Sequence, residues 1–179
     1  FSREGNLLVG TYLGGSGDDT LETHNLAVDA HDNAVVGGMT KSSDLPMLPD
    51  ALQPDHSKAR DSGDGFVAKL SADGSHLLAA SYIGGRERDE VEGINVAANG
   101  DILISGRTAS ADFPVSRDAL QPELAGRSDF FLTRLDPGLS EVRYSTFLGG
   151  TSKDTARISI MAGSDIILVG ATMSCNFPL

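Results

Sequence analysis

Three short segments of this chain are variants of one another. Thr11-Tyr12-Leu13-Gly14-Gly15 returns as Ser81-Tyr82-Ile83-Gly84-Gly85 and again as Thr146-Phe147-Leu148-Gly149-Gly150, the first glycine recurring after 70 and then 65 residues. Further landmarks keep their order inside each unit. Thr40 to Pro46 (TKSSDLP), Thr108 to Pro114 (TASADFP) and Thr172 to Pro178 (TMSCNFP) correspond, and Asp50-Ala51-Leu52-Gln53-Pro54 is repeated verbatim at Asp118 to Pro122. A tandem repeat of this period requires an architecture of stacked, similar units. It says much about shape and little about substrate.

Each unit reads as four strands. After the Gly-Gly pair comes a polar loop and then a strand pattern at Leu21 to Val28, Val91 to Ala98 and Ala156 to Met161. A turn follows: Asn99-Gly100 in the second unit, where a two-residue hairpin needs positive φ at both positions, Gly163-Ser164 in the third, and a longer Asp29 to Asn33 in the first. The next strand is almost continuously apolar (Val35-Val36, Ile102 to Ile104, Ile166 to Val169), so it is expected to be covered on both faces. A long connection of roughly two dozen residues through Ala-Leu-Gln-Pro then either packs as a cap or carries recognition. It leads to a third strand, Gly65 to Leu70 and Phe130 to Leu135, where Lys69 aligns with Arg134, and to a fourth, Leu77 to Ile83 and Val142 to Leu148. Glycine-rich turns (21 glycines) and the absence of tryptophan fit many short strands better than a helical bundle. The expected fold is all-β, a β-propeller arc of tandem four-stranded antiparallel blades. A β-helix needs a shorter period and an immunoglobulin-like tandem needs more strands per unit.

The joint order of five motifs resembles the bacterial SBBP repeat, a seven-bladed-propeller-type repeat. They are Y-L-G-G-S-G-D-D at Tyr12 to Asp19, the apolar strand ending in Gly106-Arg107-Thr108, A-D-F-P at Ala111 to Pro114, D-A-L-Q-P, and F-V-A-K-L at Phe66 to Leu70. The resemblance covers essentially the whole chain and implies a secreted or cell-surface bacterial module without shared catalytic residues. Departures are Arg86-Glu87-Arg88 against Ser16-Gly17-Asp18, and Asn176 against Asp112.

The units divide the chain into residues 1–15, the outer strand of a preceding blade (Leu7 to Leu13); 16–85 and 86–150, two full blades; and 151–179, the first half of a third. Three blades do not close a ring of about four to eight. The expected partners are therefore the remaining blades of a longer chain or other copies. A chain beginning at Phe1, with no visible signal peptide, reads as a processed product or a piece of something longer.

The net charge of −11 opposes nucleic acid and anionic membrane surfaces and favours solubility. No apolar run approaches the roughly 18 residues of a membrane span. Cys175, the sole cysteine, excludes an intrachain disulfide and reads as a small filler beside a turn. No G-x-S-x-G elbow, P-loop or H-E-x-x-H motif occurs, the four histidines lack metal-ligand spacing, and Asp29 to Asn33 lacks the alternating carboxylates of a calcium loop. No catalytic, cofactor-binding or metal-ligating residue is therefore assigned.

Asp19, Asp89 and Asp154 stand four residues after the second glycine in every unit. With Asp44, Asp112 and Phe113 of the Asp-x-Pro loops they are the candidate loop-face binding residues. The competing expectation is that each Asp caps its own turn by accepting backbone N–H bonds. The leading functional expectation is a non-enzymatic, extracellular or surface-exposed module that holds a protein or glycan partner. The alternatives are part of a polysaccharide-acting lyase or hydrolase with its catalytic residues in other blades, for which His24 and Glu90 are the nearest acid or base groups, and a structural assembly subunit.

Overall fold

A computed structural model of the chain describes all residues except 1, 22–23, 58–61, 163–164 and 179. The described residues contain strands and no helix. In chain order the strands are β1 (Asp19–Thr20), β2 (Leu26–Val28), β3 (Ala34–Thr40), β4 (Asp64–Leu70), β5 (Leu77–Ile83), β6 (Asp89–Val96), β7 (Ile102–Thr108), β8 (Asp129–Leu135), β9 (Val142–Leu148), β10 (Asp154–Ala162) and β11 (Asp165–Thr172). They form three antiparallel sheets: β1 and β2 side by side on β3, followed by β4 and β5; β6-β7-β8-β9; and β10-β11. No sheet closes on itself. Consecutive sheets are in contact, with β6 lying across β2, β3 and β4, and β10 across β6, β7 and β8.

Among the described residues four hairpin turns are built alike in two lengths, 29–33 and 97–101 closing over five residues and 71–76 and 136–141 over six. In each, an i→i+3 bond and a closing bond bracket a single residue of positive φ: Asp32 (62°), Gly74 (66°), Gly100 (88°) and Leu139 (55°). The two-residue reading of Asn99-Gly100 is thereby corrected. A type I turn with one left-handed residue matches strand twist as well as a two-residue turn does, and it needs only Gly100 at positive φ. Asp29 to Asn33 is the same turn with Asp32 in the glycine position, so it is not a longer loop. Gly163-Ser164 lies outside the described residues.

A charge pair pins this turn to the third strand. Lys69 Nζ lies 2.8 Å from Asp29 Oδ2, and Arg134 Nη2 lies 2.6 Å from Asp101 Oδ2. Burial opposes the Asp29 charge, but Lys69, Asn33 and the His31 amide outweigh it and hold the carboxyl well below the usual range. Its oxygens are thus occupied by donors rather than open to a cation. Lys69→Met leaves this buried carboxylate without its cation and is expected to cost about 1–3 kcal/mol in chemical denaturation.

β7 is covered on both faces, with Ile102, Leu103 and Ile104 at most 2% exposed. The third unit departs from that expectation: Ile166, Ile167 and Val169 of β11 are 39–51% exposed. Among the described residues β11 has no third strand beside it, and no further sheet lies across its own beyond the second. The same cause corrects Leu7 to Leu13, which is not a strand. With no ladder partner among the described residues, this segment is largely exposed, Leu7 at 65% and Leu8 at 67%.

The long connections pack as caps on the outer strands. Tyr82 N–H donates to the Gln53 carbonyl and Phe147 N–H to the Gln121 carbonyl, both at 3.1 Å. The Gln53 and Gln121 side-chain oxygens accept from Gly84 N–H (3.3 Å) and Gly149 N–H (2.9 Å). The repeated Ala-Leu-Gln-Pro thus covers the outer edge of β5 and β9, backbone that would otherwise be open to pairing. Cys175 is exposed.

Candidate functional site

The recurring aspartates organise one structure in triplicate. Asp19, Asp89 and Asp154 each accept, through Oδ2, the amide of the second glycine of their own unit (Gly15, Gly85 and Gly150), all at 2.8 Å. The serine two residues after the strand-ending threonine closes the loop from the other side. Ser42, Ser110 and Ser174 accept the amides of Gly17, Glu87 and Ser152 at 2.8–2.9 Å and donate to the same aspartates. Asp44, Asp112 and Asn176 complete the set, each taking through Oδ1 the amide that follows the glycine pair: Ser16, Arg86 and Thr151. Asn176 keeps the amide-accepting role of Asp112, which needs only one oxygen, without the second oxygen that Asp112 sets 3.4 Å from Arg86 Nε. The glycines follow from the crowding: a Cβ on Gly85 would meet Asp112 Oδ1 and Ser110 Cβ inside contact distance, and the same holds at Gly15 and Gly150.

The lock joins the Gly-Gly loop to the Asp-x-Pro loop in every unit, which brings Asp19 to Asp44, Asp89 to Asp112 and Asp154 to Asn176. It also gives at least one oxygen of each to internal donors. Asp44 is exposed, and the Ser16 amide and hydroxyl lower its pKa. Phe113 is not on a binding surface: it is 3% exposed, stacked 4.6 Å from the Phe131 ring and 6.1 Å from Phe147. The ring packs into the core cluster with Phe131 and Phe147 instead of facing solvent.

Sequence reasoning missed a second row of aspartates. Asp64 and Asp129 begin the third strand of their units and are fully buried. Each stands at a seam between sheets: Asp89 N–H donates to the Gly63 carbonyl (3.1 Å) and Asp154 N–H to the Ser128 carbonyl (2.8 Å). Ser57 N–H and Oγ–H serve Asp64 at 2.6 and 2.5 Å, while Gln121 Nε2 and Ala125 N–H serve Asp129, each at 2.8 Å. The signal was present, since Asp precedes the apolar run in both copies. Burial pushes the Asp89 carboxyl up to about 7, aided by the Asp64 charge and opposed by donors from its loop. Burial also raises Asp129, aided by the Asp154 charge. Among the described residues Asp89 Oδ1 and Asp129 Oδ1 have no hydrogen-bond partner.

The groups that do not recur gather in the second unit and at its seam with the third. Glu90 is 7% exposed, with Oε2 3.0 Å from Arg88 Nη2 and 3.1 Å from Arg107 Nη2. Glu92 occupies the bulge at which the β6–β7 register shifts, accepts Thr155 Oγ1–H at 2.9 Å from the next sheet, and is raised by burial. His24 is exposed, on the segment before β2. Among the described residues no group of three or more His, Cys, Asp or Glu is placed to hold a metal ion. No family model matches the chain, and no curated protein is similar enough in sequence to be matched with it.

Proposed function

We propose that this chain is an arc of a β-propeller of the SBBP repeat type, working outside the cell or at its surface as a non-enzymatic module that holds a protein or glycan partner. What supports the arrangement is the recurrence of one seam. The first strands of the second and third units lie across the preceding sheet, and a side-chain amide of that sheet staples each one there. Asn25 Nδ2–H donates to the Val91 carbonyl at 2.7 Å, and Asn95 Nδ2–H donates to the Ser159 carbonyl. The sheets at both ends present apolar residues where such a neighbour would lie, which favours further blades of a longer chain, or other copies, as partners.

The observation that carries the functional reading is the division of labour among acidic groups. Every recurring aspartate of the loop face gives at least one oxygen to internal donors, whereas the acidic groups that do not recur, Glu90 and Glu92, lie in the second unit and at its seam with the third. Recurring residues build the scaffold and non-recurring ones meet the partner. The test is a binding screen of oligosaccharides and extracellular protein extracts, with backbone NMR mapping of whatever binds. Shifts at the second seam are expected; shifts confined to the three Gly-Gly loops would contradict this division.

A polysaccharide-acting enzyme is the second reading, favoured by the buried Glu90 and Glu92, whose environments differ: Glu90 faces two guanidinium groups, while burial raises Glu92. Acidic and neutral oligosaccharides incubated with the protein are expected to remain intact by mass spectrometry. Shortening that is abolished by Glu92→Gln would replace the leading reading with this one.

A further inference from the structure

The repeat supplies its own comparison for one cleft. Lys153 stands where the second unit has Arg88, Thr155 where it has Glu90, and Ala171 where it has Arg107. In the second unit those three positions form a closed set, a carboxylate held between two guanidinium groups. In the third unit the two long side chains are replaced by short ones, and a cleft of about 250 Å³ opens at the seam with the second sheet. Arg107, Ser128, Lys153, Thr155, Ala171 and Met173 line it, together with Asp154.

The cation is kept while the intrachain carboxylate is gone. Lys153 is exposed and, among the described residues, forms no ion pair. Arg107 gives one nitrogen to Glu90 and keeps its other N–H groups. Ser128 is 5% exposed, yet its Oγ has no hydrogen-bond partner among the described residues. Asp154 keeps its charge, but it is 1% exposed and its oxygens are turned to Gly150, Thr172 and Ser174, so the donors left to a ligand are those of Lys153, Arg107 and Ser128. In a chain of net charge −11, a cleft with two cationic side chains and an unused buried hydroxyl is matched to an anion.

We propose that this cleft binds the carboxylate of an acidic sugar, a hexuronate residue, in the role that Glu90 plays within the second unit. The proposal rests on the glycan form of the interaction-module reading. Lys153 and Arg107 meet the carboxylate and Ser128 Oγ–H donates to it. Thr155, whose hydroxyl proton is given to Glu92, accepts from a ring hydroxyl. Among the described residues Ala171 and Met173 are the apolar lining, enough for the C–H face of one sugar ring and too little for a hydrophobic peptide anchor.

The test is titration calorimetry of the parent, Lys153→Ala and Thr155→Glu with α-1,4-linked trigalacturonate, a neutral trisaccharide of the same length and a triglutamate peptide. Trigalacturonate is expected to bind the parent and to bind each variant roughly tenfold more weakly or not at all, since one removes the cation and the other rebuilds the internal carboxylate. Lys41→Ala, a lysine elsewhere on the surface, is expected to bind as the parent does. Thermal melts of both cleft variants check that they are folded, and Lys153→Ala, at an exposed position, serves if Thr155→Glu is not. Trigalacturonate binding that neither variant weakens overturns the cleft, as does binding of the neutral sugar alone, and both leave the glycan reading intact. Binding of triglutamate alone overturns the sugar assignment in favour of a protein partner. No binding of any probe overturns the cleft.

Discussion

Asp89→Ala is expected to lower stability by about 3–5 kcal/mol, close to what a domain of ordinary stability can lose. The truncation leaves the Gly85 amide and the Ser110 hydroxyl without their acceptor in a fully buried site, and it opens a cavity beside Asp64 at the seam. Asp89→Asn keeps an accepting oxygen for both donors, as Asn176 does in the neighbouring position of the third unit, and is expected to cost less. The pair also separates charge from hydrogen bonding. Burial raises the native Asp89 carboxyl to about 7, above the unfolded value of roughly 4. The native state therefore holds a proton that the unfolded state releases. This group's contribution is fully present below about pH 4 and is lost as pH rises through 7. Asp89→Asn lacks that loss, so its stability relative to the parent is expected to improve by roughly 1–3 kcal/mol between pH 5 and pH 8. Urea unfolding curves of the parent and both variants at the two pH values measure it, and a pH-independent difference between Asn and parent would contradict the assignment.

Gly106→Val is expected to be the most damaging substitution in a strand, costing 3 kcal/mol or more or preventing folding altogether. Where β6 bulges between Val91 and Gly93, the Glu90 carbonyl is driven against the neighbouring strand. A Cβ on Gly106 would collide with that carbonyl oxygen and with the Phe131 ring. Neither can retreat, since one is backbone and the other is a fully buried core ring. The position is structural in all three units, because Gly38 faces the Thr20 carbonyl and Gly170 the Thr155 carbonyl in the same way. Circular dichroism melts of Gly106→Ala and Gly106→Val, compared with Gly126→Ala in a connection, rank the collisions. A strand glycine that accepted valine without loss would contradict the bulge geometry.

The strands were legible because periodicity and turn residues are local: Leu77–Ile83 and Val142–Leu148 emerge with the bounds that the sequence suggested. The lock was legible in part. The spacing of Asp19, Asp89 and Asp154 pointed to a shared turn-capping role, but their serine and Asp-x-Pro partners lie 20–28 residues away, and only folding brings them together. Phe113 was misplaced because an aromatic residue in a polar loop reads the same whether it points out or under; packing against Phe131 decides it. Leu7 to Leu13 has strand composition without a strand, since a ladder needs a neighbour as well as a pattern. The cleft beside Lys153 was hidden for a related reason. It arises from what Thr155 and Ala171 lack compared with Glu90 and Arg107, and an absence shows only when the units are superposed.

The claim at the centre of this account is that the units stack through one recurring seam and that the end sheets require a neighbour. Light scattering coupled to size exclusion, run over a hundredfold range of protein concentration, tests it most directly. The bare apolar face of β11, with Ile167 and Val169 about half exposed, predicts a mass above that of one chain that rises with concentration or settles at a discrete oligomer. A sharp single-chain mass at every concentration, from a protein that also melts cooperatively at high temperature, would contradict it.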